Sequence, residues 1–193
     1  MNIIITGACG HIGSHFIENL DKIRNINKVI LIDNLHSNKA NSLFKIKTKK
    51  KIDFYARDLT VKNSLNQFKN IDIIFHLASM TNAAGSFKVK KKMYKNNLDC
   101  FNNVVDFCEK NKTKLIHISS TSVYGKQAKI VDENCEKKFL NPQSPYAKIK
   151  LIEENILKKK ILIITHLDLV QSQGYLKECA FILLLTVFVL AQL

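Results

Sequence analysis

Ile3-Ile4-Ile5-Thr6-Gly7-Ala8-Cys9-Gly10-His11-Ile12-Gly13 stands almost at the start of the chain, and its order decides the fold. Three consecutive isoleucines read as a strand buried on both faces. The three glycines then do three jobs. They allow a tight turn, a close approach of backbone to a pyrophosphate, and close packing of the next helix on the strand. Ile12, Phe16, Ile17 and Leu20 recur at helical spacing, so a helix opens inside the motif. Its first turn offers free N–H groups and the positive end of its dipole to an anion. Strand, glycine turn and helix in this order point to a dinucleotide site, with an ordinary strand-to-helix turn as the competing reading.

Outward from this motif, short apolar runs alternate with helix-period segments. Val29 to Asp33 is a second buried strand. Asp33 falls about 20 residues past Gly13, where an acidic side chain takes ribose hydroxyls and repels the extra phosphate of NADP. NAD is therefore expected over NADP, with a strand-end cap as the alternative role. Ile52, Phe54 and Ala56 alternate with Asp53, Tyr55 and Arg57, which suits an edge strand. Asp58 follows, and either meets an adenine amine or caps the next helix. Residues 71–78 form a fourth strand and 114–119 a fifth. Met93, Asn97, Phe101, Val104, Val105 and Cys108 mark a long helix between them. Ser144 and Pro145 open another, which continues through Leu151, Ile152, Ile156 and Leu157. Residues 161–165 are expected as a sixth strand. The sum is an α/β fold, a Rossmann-like doubly wound parallel sheet over 1–165. An atypical apolar tail follows over 166–193.

The 193 residues suffice for one domain, and 46% hydrophobic with 24% charged residues is a globular composition. A net charge of +14 attracts anions. The lysines gather at 45–51, 88–92 and 158–160 without aromatic residues between them to stack bases. They read as a solvated surface, and no nucleic-acid partner is expected. The same charge would draw in a dianionic cofactor or nucleotide. Cys9, Cys100, Cys108, Cys135 and Cys179 form no C-x-x-C pair and are odd in number, so reduced thiols in a cytoplasmic protein are expected. The six histidines show no metal-ligand spacing, and no metal is expected. The N-terminal apolar run is too short for a signal peptide. The apolar stretch 179–191 is shorter than the ~20 residues of a spanning helix, and no membrane partner is expected.

Tyr146 and Lys150 lie four apart on one helix face. An ammonium beside a phenol favours the phenolate, which makes the tyrosine a candidate general base. Ser120 sits at the end of the fifth strand, where its hydroxyl can steady a reacting oxygen. Ser119 and Thr121 are alternatives for that role.

These residues occur in a fixed order. Gly7-x-x-Gly10-x-x-Gly13 is followed by Asp33, Asp58-Leu59, His76-Leu77-Ala78-Ser79, Ser119-Ser120-Thr121-Ser122-Val123-Tyr124-Gly125 and Tyr146-x-x-x-Lys150. The order resembles the extended short-chain dehydrogenase/reductases, and within them the NAD-dependent epimerase/dehydratase group, over residues 1 to about 157. The resemblance implies tightly bound NAD and a nucleotide-sugar substrate, a UDP-sugar foremost. It makes Tyr146, Lys150 and Ser120 catalytic, and puts Ser120, Thr121 and Tyr124 at the substrate. It assigns the cofactor to Gly7, Cys9, Gly10, His11, Ile12 and Gly13 in the first loop, then to Asp33, Asn34, Asp58 and Leu59. Leu77, Ala78, Ser79, Asn97, Tyr146 and Lys150 complete that set. It implies a homodimer through the helices around 93–110 and 145–159. Dehydratases of the group carry Asp-Glu where this chain has Thr121-Ser122, which favours epimerisation or simple oxidoreduction. It also implies a C-terminal substrate domain that is largely missing here. Two further readings stand beside the enzyme. One is an inactive NAD-binding fragment, the other a basic module for nucleic acid or a membrane surface on a Rossmann scaffold.

Overall fold

The computed structural model describes residues 1–36, 40–81, 85–126 and 136–160, and the backbone of 164–169. Six parallel strands make one sheet: β1 (Asn2–Thr6), β2 (Lys28–Asp33), β3 (Lys51–Ala56), β4 (Ile73–His76), β5 (Lys114–Ser120) and β6 (Ile164–Leu169). Their order is β3-β2-β1-β4-β5-β6. The chain winds from β1 outward to β3, returns to the other side of β1, and winds outward again to β6. The switch of direction between β1 and β4 opens a crevice at the carboxyl ends of the strands, the usual ligand position in such sheets. Three helices cover the faces: α1 (His11–Glu18), α2 (Lys90–Asn111) and α3 (Pro145–Lys159).

The side-chain period of two sorts the strands between two cores. Ile3 and Ile5 of β1 turn to one face with Val29, Leu31, Ile73 and Phe75, against Phe16 and Ile17 of α1. Ile4 turns to the other with Ile30, Ile32 and Ile74, against Phe101, Val104, Val105 and Cys108 of α2. A strand covered on both sides has no polar face to offer, hence the unbroken isoleucine run. β3 is the edge strand that its alternation predicts, and its inner residues are only half-buried. At the start of α3, the Ser144 Oγ accepts the Ala147 N–H at 3.1 Å and Pro145 occupies the first turn.

Three expectations need correction. β4 ends at His76, short of the expected 78. The Leu77 N–H is shared between the Thr6 carbonyl at 3.2 Å and the Thr6 Oγ1 at 3.1 Å, and the Ala78 N–H goes to that hydroxyl at 3.2 Å, where the ladder ends. No helix follows Asp58; residues 59–67 form consecutive turns. Asp58 Oδ1 accepts the Thr60 N–H at 2.8 Å, a local turn, and Asn63 takes a left-handed φ of 62° that a helix cannot continue. β6 runs to Leu169, past the expected limit at 165, because its pairing with β5 extends from Leu115–Ile164 to Ser120–Leu169. The apolar run only begins that strand. Residues 170–193, which include Cys179 and all of the apolar tail but its first four residues, lie outside the described residues, as do Cys135 and residues 161–163. Among the described residues no helix is long and apolar enough to cross a membrane.

Candidate active site

A cavity of about 550 Å³ follows the carboxyl ends of β1, β2, β4 and β5. The glycine loop with Asp33 and Asn34 forms part of its wall, Ser119, Ser120 and Tyr146 another part, and Leu77, Ala78, Ser79, Met93 and Cys100 lie among the rest of its lining. Gly7 holds a φ of +65°, and a Cβ there would sit 2.7 Å from the Ala78 nitrogen. A Cβ on Gly13 would meet the Gly7 oxygen at 2.4 Å. Backbone thus packs on backbone at both glycines, and neither position has room for a side chain. Asp33 Oδ2 accepts the Cys9 N–H at 3.0 Å and Oδ1 accepts the Leu35 N–H at 2.8 Å. Each carboxylate oxygen keeps a lone pair for a further donor.

On the β5 side, Ser120 ends the strand and caps the short turn Thr121–Val123. Its Oγ lies 2.8 Å from the Ser122 Oγ and hydrogen-bonds Tyr146. Tyr146 is 4% exposed. Burial pushes its phenol up; Lys150 and the Ser120 hydrogen bond pull it down, and Glu153 pushes it up again, with a net upward shift. Lys150 Nζ lies 2.8 Å from Glu153 Oε2 and 6.0 Å from the Tyr146 ring centroid. His117 Nε2 approaches the same carboxylate oxygen at 3.2 Å. The neighbouring Glu154 accepts a hydrogen bond from the Ser119 hydroxyl. All these groups except Lys150 and its neighbours on α3 come from β5, so the packing of α3 on β5 assembles the cluster.

Beneath it, the His76 Nδ1 lies 2.9 Å from Thr6 Oγ1. That hydroxyl already accepts the Leu77 and Ala78 N–H groups, and its one hydrogen has Nδ1 and, at 3.5 Å, the Phe75 carbonyl as acceptors. The ring stacks on His117 with centroids 5.9 Å apart. Burial first, then the His117 and Lys150 charges, pull His76 down to about 3. Folding therefore refuses a proton that the unfolded chain takes up below its ordinary value of 6.5. Stability is full above that value and falls as pH drops toward about 3, by up to ~1.4 kcal/mol per pH unit. Urea unfolding midpoints at pH 7 and pH 5 measure this. His76→Phe should flatten the difference, and a wild-type midpoint that does not move would remove the argument.

The cavity gathers most of the residues expected of the site. Gly7, Gly10, His11, Ile12, Gly13, Asp33, Asn34, Leu59, Leu77, Ala78, Ser79, Ser120 and Tyr146 all line it. Cys9, Asp58, Asn97, Lys150, Thr121 and Tyr124 are not in its lining. Cys9 buries its side chain and turns only its N–H toward Asp33. Asp58 is occupied by its own turn, while Arg57 beside it lines the wall. Asn97 holds the wall from behind: its Nδ2 donates to Ser79 Oγ at 3.0 Å and to the Met80 carbonyl at 3.1 Å. Lys150 stands behind Tyr146, turned to Glu153. The sequence reading missed Glu153, Glu154 and His117. The two glutamates were signalled by lying on the Tyr146–Lys150 face of α3, three and four residues beyond the lysine. Among the described residues no group of three His, Cys, Asp or Glu side chains is placed to hold a metal ion.

Residues 3–160 match the family model described as the NAD dependent epimerase/dehydratase family. This chain belongs to that family. It is 32% identical over 168 residues to the UDP-glucose 4-epimerase of Drosophila melanogaster, covering 81% of this chain and 47% of the fly protein. It is 30% identical over 172 residues to the dTDP-D-glucose 4,6-dehydratase of Dictyostelium discoideum, covering 81% of this chain and 39% of that protein. Its fold superimposes on the UDP-N-acetylglucosamine 4-epimerase from Methanobrevibacter ruminantium M1 with a TM-score of 0.76 and 31% identity, over 86% of this chain and 54% of that one. The UDP-glucuronic acid 4-epimerase from Bacillus cereus, solved with UDP-glucuronic acid and NAD, gives a TM-score of 0.76 at 28% identity, over 87% of this chain and 56% of that one. The chain spans about half the length of these relatives, or less.

Proposed function

We propose that this chain carries the NAD-binding and proton-transfer half of a nucleotide-sugar 4-epimerase, with a UDP-sugar as the substrate class. One observation carries the reading: a single cavity joins a glycine cradle and Asp33 to Ser120 and Tyr146. The cradle is fit for a dinucleotide: at Gly7 and Gly13 a Cβ would strike backbone, so the glycines keep the loop tight against β4 and the start of α1. The N–H groups at the start of α1 would face the pyrophosphate, and Asp33 the adenosine ribose. NAD, when bound, supplies the hydride acceptor and donor. Tyr146 takes the proton from a sugar hydroxyl and returns it. Ser120 holds the same oxygen by hydrogen bonding. Lys150 favours the phenolate electrostatically. Thr121-Ser122 offers no carboxylic acid to drive loss of water, which favours the epimerase over the dehydratase. The unit that does this is the sheet with its helices, residues 1–165 in the sequence reading, and two copies would pair through α2 and α3.

Two measurements test the proposal. NAD titration by calorimetry should show saturable binding, and incubation with UDP-glucose or UDP-galactose should interconvert them. Binding without interconversion would reduce the chain to a dinucleotide-binding unit; absence of binding would overturn the reading altogether. NAD should also bind at least about tenfold tighter than NADP, because two like charges some 4 Å apart repel by ~1–4 kcal/mol at a protein surface. Equal affinities would show that Asp33 does not face the adenosine ribose.

A further inference from the structure

Tyr146, Lys150 and Glu153 share one face of α3, and the lysine charge is in contact with the glutamate. Lys150 Nζ is 2.8 Å from Glu153 Oε2, while the Tyr146 ring centroid is 6.0 Å away. Lys150 is 4% and Glu153 1% exposed. At this depth an ammonium and a carboxylate in contact act outward as a dipole, whose field falls off faster than that of a lone charge. His117, wholly buried, brings Nε2 to 3.2 Å from the same oxygen from the β5 side. We propose that Glu153 is a positioning residue that neutralises the Lys150 ammonium and so keeps Tyr146 a phenol while the cavity holds no nucleotide.

That Tyr146 is the proton acceptor rests on the function proposed above; the charge arrangement does not. Burial pulls the Lys150 ammonium down, but Glu153, together with Tyr146 and Glu154, outweighs it and holds the lysine charged above its ordinary range. The tyrosine shifts upward overall, chiefly through burial, with Lys150 pulling it down and Glu153 pushing it back up. The other titratable groups around the pair cannot supply the missing charge. His76 on β4 is held down to about 3 and the Cys100 thiol on α2 up to about 12. Tyr94 on α2 packs against the same small apolar cluster as Tyr146. Glu154 is engaged by Ser119 and lies 3.7 Å from Lys158. On β6, His166 and Asp168 stand in register beside His117 and Ser119. The consequence is a base held in reserve: whatever draws the Lys150 ammonium from Glu153 lowers the tyrosine.

The test is a titration of the full chain, labelled at the tyrosine Cζ carbons with ¹³C and followed by NMR without nucleotide. Tyr146→Phe assigns the signal. The wild-type midpoint should lie above the ordinary ~10 of tyrosine. Glu153→Gln should lower it by about 1 pH unit or more, since the lysine charge is then uncancelled. Glu154→Gln, which removes a charge one residue on but spares the pair, should move it much less. If Glu153→Gln does not fold by circular dichroism, Lys150→Met with Glu153→Met replaces the buried pair by apolar volume, an exchange folds often accept. Removing a neutral pair should then shift the midpoint by less than about 1 unit, whereas removing an uncancelled lysine would raise it by ~1–3 units. A wild-type midpoint below the ordinary value, no fall in Glu153→Gln, or a large rise in the double variant would each overturn the proposal. An NAD titration of the same samples separates the two ideas. Failure to bind NAD sinks the proposed function and leaves the tyrosine midpoints where they are.

Discussion

Tyr146→Phe is expected to abolish interconversion of UDP-sugars while leaving NAD affinity within about twofold of wild type. The substitution removes one hydroxyl from a side chain that is 4% exposed and keeps its ring in the cluster with Met93 and Ile149. The fold should therefore tolerate it. On the function proposed above, what is lost is the group that exchanges a proton with the sugar, and general base catalysis of this kind is worth ~10²–10⁴ in rate. The glycine loop and Asp33 are untouched, so the dinucleotide keeps most of its contacts. Turnover and calorimetry on the same preparation measure both halves of the expectation. Full activity in the variant would move the proton transfer to another group, and a parallel collapse of NAD binding would make Tyr146 a structural element of the pocket.

The strands of the sheet were legible because each buried one carries a run of apolar residues that no exposed segment would keep. Ile3-Ile4-Ile5 and Val29–Ile32 gave both the strand and its burial, and the glycine spacing gave the turn between β1 and α1. Less was legible where side chains compete with the ladder. The Thr6 hydroxyl takes the Ala78 N–H and shares that of Leu77 with the Thr6 carbonyl where β4 ends, and this contact spans some 70 residues of sequence. Asp58 was read as a choice between ligand and helix cap, and it has no helix to cap: its carboxylate accepts the N–H two residues on, in a local turn. The site itself was legible as a list of residues along the chain but not as a charge pattern. Y-x-x-x-K spacing puts a lysine near a tyrosine; it does not say what else that lysine touches. Glu153 and His117 meet Lys150 only once α3 is laid on β5, so their effect on the tyrosine belongs to the tertiary structure. The basic composition, by contrast, carried little: the lysines of the runs at 88–92 and 158–160 lie mostly on exposed positions and do not line the cavity.

Gly13→Ala is expected to cost the chain its dinucleotide site. The added methyl carbon would stand 2.4 Å from the Gly7 oxygen and 2.9 Å from both the Cα and the oxygen of Ala8. All three are backbone atoms, so no side chain can swing aside, and the first turn of α1 must move away from the loop that follows β1. That motion opens the gap between the Gly7 turn and the helix N-terminus, which is the place a pyrophosphate would occupy. Overpacking a tight contact costs ~1–3 kcal/mol or more. At the upper end this corresponds to a loss of about a hundredfold in NAD affinity, if the strain is relieved only by displacing the loop. The same strain should appear as a lowered thermal midpoint, since α1 buries Phe16 and Ile17 in the core beneath the sheet. Gly10→Ala is the internal comparison: its Cβ would find only the Gly7 oxygen, at 3.1 Å, and it has no positive φ to lose. It should keep much more of the stability than Gly13→Ala. If the two variants lose NAD affinity and thermal stability equally, steric closeness of the loop to the helix is not what sets the glycine pattern. If Gly13→Ala binds NAD as the wild type does, the cradle is not where the dinucleotide lies.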